Sequence, residues 1–279
     1  MTIQSSPLMG ASLVVYVLAS AFYQAPLFLR SARLNAWALR LAVVAFALHS
    51  AVLAQHVLAG HVELADMREV LLVFAWALLL VYLVGRLRYG IEPLGALVLP
   101  LGMVAVLAVA LAPRTQLESV ALAQGTALMP IHIILGVAAY GAFFVAFASA
   151  LAYLLKERLL KAKRLTGLAR RLPSLDQAES VGYRFAALGF LLWTIMMGTG
   201  MALNYIAQAR LWLWNPKQTL ALVTWVIYAA YLHARLISDY RGRTSVLLLV
   251  FSFICAALTW GGVYVVGDPL HASMHRLLH

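Results

Sequence analysis

Charged residues are scarce in this 279-residue chain: Asp, Glu, Lys and Arg together make up 11%, whereas soluble domains carry about 25%. Hydrophobic residues make up 64%, and the mean hydropathy is +0.89. A soluble protein of this composition could not cover its surface with polar groups. The composition therefore excludes a soluble enzyme and a disordered protein. Because two-residue alternation is also missing, it excludes a membrane β-barrel and predicts an all-α polytopic membrane protein.

Cysteine is nearly absent as well. Cys255 is the only one and lies within an apolar run, so the chain contains no disulfide, no thiol pair and no motif for covalent haem attachment. No catalytic nucleophile is evident, and we expect a protein that is not an enzyme. The net charge of +11 could suit nucleic acid. However, the basic residues lie in short loops between apolar runs, which indicates membrane orientation and no nucleic-acid partner.

Eight segments are apolar and long enough to cross the bilayer. Sixteen of the 21 Lys and Arg residues fall in the alternate loops that lie within 30–40, 86–88, 156–184 and 235–243. By the positive-inside rule these loops are cytoplasmic, which places the N-terminus and the C-terminus outside. We therefore predict a multi-pass protein of a bacterial inner (cytoplasmic) membrane. The predicted spans are 8–29, 37–58, 69–87, 94–112, 129–155, 185–207, 218–237 and 245–266.

The longest cytoplasmic loop covers residues 156–184. Its first half is basic with interleaved Leu, a pattern that favours contact with the anionic inner leaflet. Ser174 followed by Gln177 has the spacing of a capping box and predicts the start of a helix leading into the sixth span.

Histidines are the main titratable groups within or beside the spans, since no carboxylate lies near the middle of any of them. A single membrane His is more often a packing residue than a ligand. His132 opens span five and His271 follows span eight, so both are expected at one depth near the outer face. Two imidazoles at one depth can ligate a haem iron from both sides. Zinc is the alternative, although the chain offers no Cys or carboxylate cluster to complete a four-ligand site.

A tryptophan-containing segment joins spans six and seven at the predicted outer face. Trp212 and Trp214 are typical of an interfacial belt. Alternatively, their flat indoles could pack on a porphyrin, while Arg210 or Lys217 meets its propionates. The neighbouring outer histidines favour this second interpretation.

The run Trp-Leu-Trp-Asn-Pro-Lys-Gln-Thr at 212–219 resembles the tryptophan-rich signature W-x-W-D-P-K-E-T. Further similarity lies at 172–176, 183–184 and 189–190, and at Gly198 and Gly200. These motifs are similar to those of the cytochrome c assembly protein family, the haem-handling membrane proteins of the CcsA, CcmC and HemX types. The resemblance covers roughly residues 129–271. It suggests a division into four HemX-like helices at 1–128 and a WWD-like cytochrome c assembly half at 129–279.

The resemblance implies haem handling at the outer face during cytochrome c assembly. Haem b would be held non-covalently by the motif residues Trp212, Trp214 and Asn215 and bracketed by His132 and His271. His233 matches a transmembrane His of the family, and His49 could contribute to a second haem position within the bilayer. The implied partners are haem, apocytochrome c and other cytochrome c assembly proteins.

The chain departs from the family signature at three places. Asn215 replaces an Asp, Gln218 replaces a Glu, and Gln208-Ala209 replaces a Trp-Gly pair. Two carboxylates thus become amides of similar shape that carry no charge. We expect a divergent haem chaperone or transporter rather than the main synthase subunit. The alternatives are a b-type electron-transfer or quinone-reactive protein that uses the same histidines, and a membrane scaffold that binds no haem.

The charge distribution makes the orientation testable with reporter fusions. Fusions after residues 35 and 165 should score cytoplasmic, and fusions near residues 65 and 279 should score external, because basic loops are retained inside. An external score for the 156–184 loop would overturn this orientation.

Overall fold

The computed structural model describes residues 7–29, 31–58, 67–111, 126–164, 167–237 and 240–259. These residues form helices and short connections without any β-strand, so the predicted all-α polytopic class is confirmed. A 3₁₀ turn at Glu92–Leu94 precedes the fourth long helix, and a helical turn at Leu168–Arg171 precedes the sixth. The long helices are α1 (Pro7–Phe28), α2 (Ala32–Leu58), α3 (Met67–Tyr89), α4 (Gly95–Leu111), α5 (Leu128–Lys161), α6 (Leu175–Gln208), α7 (Pro216–Ile237) and α8 (Arg243–Thr259).

Helices α1, α2, α3, α5, α6 and α7 are long and apolar enough to span a membrane, and so is α4 together with the 3₁₀ turn before it, as Glu92–Leu111. The described part of α8 has 17 residues, and the residues after Thr259 in the predicted eighth span lie outside the described part of the chain. The membrane spans are therefore those of a multi-pass protein. Eight crossings, with both termini outside, stay a prediction.

The antiparallel pair α5 and α6 forms the centre of the bundle. Helix α3 packs on α5, α4 and α1 pack beyond α3, and α2 packs against α1 and α3. On the other side, α7 packs on α6. The α8 residue Phe253 stacks on Phe147 of α5, with 4.4 Å between ring centroids. The N-terminal and C-terminal helices thus pack into one bundle, while the division into two halves stays a prediction.

Glycine allows α5 and α6 to touch through their backbones. A Cβ atom on Gly189 would lie 2.5 Å from the Phe143 ring and 3.2 Å from the Ala139 carbonyl oxygen. One on Gly182 would lie 3.6 Å from the Ala146 carbonyl oxygen. Small residues serve this purpose in membranes because close van der Waals contact, rather than the hydrophobic effect, holds helices together there.

Side chains cap several helix ends at the predicted cytoplasmic end of the bundle. Arg171 donates to the Pro26 and Phe28 carbonyls at the end of α1, at 2.6 and 3.2 Å. Gln177 Nε2 donates to the Tyr89 carbonyl at the end of α3, at 2.9 Å. Such carbonyls have no partner within their own helix. These contacts bring the ends of α1 and α3 together with the start of α6.

The predicted cap of the sixth helix is confirmed. Ser174 Oγ accepts from the Gln177 N–H at 3.1 Å. Helix α6 consequently begins ten residues before the predicted span, and α5 continues to Lys161. Much of the segment 156–184 is therefore helical rather than loop, and its contact with the inner leaflet stays a prediction.

Gly189 offers a direct test of the α5–α6 contact. We expect Gly189→Ala to lower the free energy of unfolding by about 1–3 kcal/mol, the usual cost of overpacking, because Phe143 is fully buried and stacked on Tyr228. Thermal unfolding in detergent measures the effect. Gly10→Ala is the control, since nothing lies within 4 Å of a Cβ at that position. Equal destabilisation in both variants would contradict the close contact.

Candidate haem site at the end of the central helix pair

His132 lies in the first two turns of α5 and turns its side chain toward α6. Its Nδ1 is 2.9 Å from the Met196 carbonyl oxygen and 3.1 Å from Thr199 Oγ1. A carbonyl can only accept, so Nδ1 carries the proton and donates it. Nε2 then holds a lone pair, and it has no hydrogen bond within the described residues. In this tautomer Nε2 can bind a metal while a backbone carbonyl holds Nδ1.

A glycine makes room for this imidazole. A Cβ on Gly200 would lie 3.0 Å from His132 Cε1 and 4.0 Å from its Nε2. By contrast, a Cβ on Gly198 would meet nothing within 4 Å. The two glycines of the α6 motif therefore differ: Gly200 accommodates His132, and Gly198 faces open space.

The connection from α6 to α7, which we call the tryptophan loop, comprises residues 209–215. It begins with Ala209 in the left-handed conformation, at φ 54°. The Ala209 N–H donates to the Tyr205 carbonyl at 2.9 Å and closes α6. Glycine is the usual residue at such a helix end because it has no Cβ to strain the backbone. The Trp-Gly pair of the family signature would place its glycine at this position.

Asn215 and Gln218 cap the start of α7. Asn215 Oδ1 accepts from the Gln218 N–H at 2.8 Å, and Gln218 Oε1 accepts from the Leu213 N–H, also at 2.8 Å. Pro216 occupies the first helical position, where its missing N–H costs least. Both amides act through their oxygens, a role that a carboxylate fills equally well. Asn215 and Gln218 of the signature thus form a helix cap that holds the tryptophan loop against the start of α7.

The two tryptophans of the loop differ in exposure and orientation. Trp214 is 79% exposed, whereas the indole nitrogen of Trp212 is buried and without a hydrogen-bond partner. Their ring centroids are 6.0 Å apart, with 72° between the planes. Because the rings are nearly perpendicular, only one of them can stack face-on against a given flat ligand. Packing of these indoles on a porphyrin stays a prediction.

Two cations accompany the site. Arg210 and Lys217 are both exposed, and Lys217 is close enough to His132 for an electrostatic interaction between them. Helix α7, which follows the loop, is joined to α6 because Trp193 Nε1 donates to the Ala221 carbonyl at 3.2 Å. The arrangement thus offers an imidazole nitrogen, a buried N–H donor, an exposed indole and two positive charges.

Residues 37–271 match the family model described as cytochrome C assembly protein. The chain belongs to the cytochrome c assembly protein family. The match begins before the predicted boundary at residue 128 and therefore includes most of the N-terminal helices.

Curated relatives in this family carry the name cytochrome c biogenesis protein CcsA. The protein of Parasynechococcus marenigrum (strain WH8102) is 29% identical over 237 residues, which cover 76% of this chain and 78% of the relative. That of Chlorella vulgaris is 26% identical over 249 residues, with the same two coverages. The protein of Rippkaea orientalis (strain PCC 8801 / RF-1) is 38% identical over 103 residues, which cover 37% of this chain and 30% of the relative.

Among the outer residues expected from the family signature, the structure associates His132 with Lys217 across α5 and the start of α7. His271, the expected second ligand, lies outside the described residues. Asn215 Oδ1 is engaged as the helix cap, and a contact of Asn215 with the cofactor stays a prediction.

The inner histidines expected from the family are not brought together. His49 is buried in α2 at 1% exposure, and its Nδ1 is 3.0 Å from Tyr16 Oη. Its Nε2 is buried near the Leu72 backbone without a hydrogen bond of normal geometry. His233 is exposed on α7. Since α2 packs on α1 and α3 while α7 packs on α6, a shared site for the two would require a different arrangement of helices.

Sequence analysis missed Met196 and Thr199 as partners of His132. Met196 acts through its backbone carbonyl, which no side-chain pattern reveals. Thr199 lies between two glycines, a local signal of close approach that could have directed attention to it.

The capping geometry predicts that the family carboxylates can be restored without loss of stability. Asn215→Asp with Gln218→Glu should leave the free energy of unfolding within about 0.5 kcal/mol, because the same oxygens accept and the helix N-terminus favours negative charge. Asn215→Ala should cost about 1 kcal/mol, the usual value of a lost N-cap. Thermal unfolding in detergent compares the variants. If the Asn215→Asp/Gln218→Glu double variant lost as much free energy of unfolding as Asn215→Ala does, the capping role would be contradicted.

Proposed function

We propose that this protein binds haem non-covalently at the predicted outer face and holds it for transfer during cytochrome c biogenesis. The observation that carries the proposal is the state of His132: its Nδ1 donates to the Met196 carbonyl, and its Nε2 is left with a lone pair. Haem iron is commonly bound by such imidazole nitrogens. The names of the CcsA relatives support the role in cytochrome c biogenesis.

The described residues fit a haem with propionate groups. His132 would bind the iron, and the buried indole N–H of Trp212 lacks the acceptor that a bound ligand could supply. One indole face, that of the exposed Trp214, is open for stacking. Lys217 and Arg210 would pair with propionates. When bound, haem is the cargo; it needs no catalytic group from the protein.

The second residue that would bind the iron in this proposal is His271, which follows α8 in the sequence. Its family position and its predicted depth support the assignment. Two histidine ligands would hold haem firmly without a covalent bond, while the surface position of the tryptophan loop would leave one side open to a partner. Apocytochrome c and other cytochrome c assembly proteins are the proposed partners, and a bacterial inner membrane is the proposed location.

Electron transfer within the bilayer is the less supported alternative. A b-type carrier of that kind needs a pair of ligands at membrane depth, and His49 and His233 lie on helices that do not pack together in the described structure. A scaffold that binds no haem does not explain why His132 Nε2 keeps a free lone pair or why the buried Trp212 N–H has no acceptor.

The proposal is tested by the absorbance spectrum of the purified protein. His132→Ala and His271→Ala should each weaken haem retention, and the double variant should lose the Soret band, because the iron then has no protein ligand. Added imidazole should partly restore the single variants by filling the vacated position.

A matched control is His56→Ala. His56 is also a histidine whose Nδ1 lies near a backbone carbonyl, that of Val52 at 2.8 Å, but it lies on α2 and should leave the spectrum unchanged. A wild-type Soret band in the His132/His271 double variant, lost instead in His49→Ala or His233→Ala, would place haem within the bilayer and refute the outer site. A haem-free wild-type protein would favour the scaffold.

A further inference from the structure

Three residues on one face of α6, at positions 196, 199 and 200, lie against the His132 imidazole. They are the Met196 carbonyl, the Thr199 hydroxyl and the Cα of Gly200, where a Cβ would come within 3.0 Å of the ring. We propose that Thr199 and Gly200 are positioning residues, which set the tautomer and the rotation of His132 for binding iron. This inference rests on the proposed haem site and specifies how the chain prepares its ligand.

Thr199 supplies the second hydrogen-bond acceptor for the imidazole. Its hydroxyl donates to the Met196 carbonyl at 2.8 Å, so an oxygen lone pair is free to face His132 Nδ1 at 3.1 Å. A hydroxyl that donates in this way is a better acceptor, because linked hydrogen bonds polarise one another. The Nδ1–H therefore has two acceptors on α6. Hydrogen bonds of this kind fix the ring orientation and raise the basicity of the metal-binding nitrogen.

Gly200 has no Cβ, and a Cβ at this position would crowd the His132 ring in this orientation. The ring cannot retreat from an added methyl group without breaking its bond to the α6 backbone, since Nδ1 is already held at 2.9 Å from the Met196 carbonyl. An alanine at position 200 would therefore push the ring at Cε1 and rotate Nε2 away from its position. Gly198 lies on another face of α6 and has open space beside it, which makes it the matched control.

The consequence is that α6 organises the whole site. The same helix orients the ligand of α5 through residues 196–200 and, eight residues later, ends at the tryptophan loop. Because a helix is rigid over this distance, of about 12 Å at 1.5 Å per residue, the imidazole and the indoles keep a fixed separation along it.

The first arm of the test uses the haem-free protein. Histidine-selective ¹⁵N NMR in detergent, with the His132 signals assigned through His132→Gln, should show the Nδ1–H tautomer in wild type. Thr199→Val, which is nearly isosteric, should increase the population of the other tautomer, and Thr199→Ser should restore the wild-type signals. A wild-type His132 that is protonated at Nε2, or a Thr199→Val variant with unchanged signals, would overturn the positioning role of Thr199.

The second arm measures haem itself by absorbance titration. Thr199→Val and Gly200→Ala should weaken haem binding about tenfold or more, the usual effect of losing a residue that orients a metal ligand, while Thr199→Ser and Gly198→Ala should bind as wild type does. Thr199→Val should also raise the haem midpoint potential, because a less basic imidazole stabilises the oxidised iron less. Unchanged affinity in both test variants would overturn the proposal.

The two arms test haem binding and the positioning of His132 separately. If the wild-type protein binds no haem, the proposed function fails, but the NMR arm still decides whether α6 sets the tautomer of His132. If Gly200→Ala does not fold, as judged by size-exclusion chromatography, the Thr199 series decides the outcome alone.

Discussion

The positions of the candidate haem-binding groups depend on how closely α5 approaches α6. In a bilayer, apolar side chains gain nothing by leaving lipid for a neighbouring helix, so close backbone packing and hydrogen bonds hold helices together. Gly182 and Gly189 allow that packing in the middle of the pair. Toward the predicted outer end, the same proximity lets the His132 side chain reach the Met196 carbonyl of the facing helix. A wider separation would leave this imidazole without a fixed tautomer.

Polar side chains satisfy backbone groups at helix ends on both sides of the bundle. Arg171 and Gln177 satisfy the final carbonyls of α1 and α3, and Asn215 with Gln218 satisfies the start of α7 and its preceding loop. Unsatisfied backbone groups are costly where little water is available. This requirement explains why the motif tolerates amides in place of carboxylates: the oxygen acceptor is needed, and the charge is not needed for the cap.

The buried imidazole of His49 illustrates the opposite situation. It is enclosed by α1 and α3, its Nδ1 has a partner in Tyr16 and its Nε2 has none, and a role for it in a second haem position stays a prediction. His132 differs because it lies at the end of a helix, beside a loop with an exposed indole and two cations. The same side chain therefore has two physical roles, which are decided by the neighbours and not by the residue type.

The sequence by itself determined the all-helical membrane class, the family and the helix start at Ser174. Each of these follows from local information: hydropathy over about 20 residues, a contiguous motif, or an acceptor three residues before a donor. The sequence also identified His132 and the tryptophan segment as candidates for one site. It could not give their geometry, because hydropathy marks a helix and not its rotation about its own axis.

Only the tertiary structure decided which atoms meet. It paired His132 with a backbone carbonyl and with Thr199, it turned Trp212 and Trp214 nearly perpendicular, and it separated His49 from His233. It also extended α6 ten residues beyond the predicted span, since a helix can continue past the bilayer wherever its end is capped. The contact between His132 and Thr199, for example, joins residues that are 67 positions apart in the chain. Such contacts depend on helix rotation and close packing, which arise only when the whole bundle has formed.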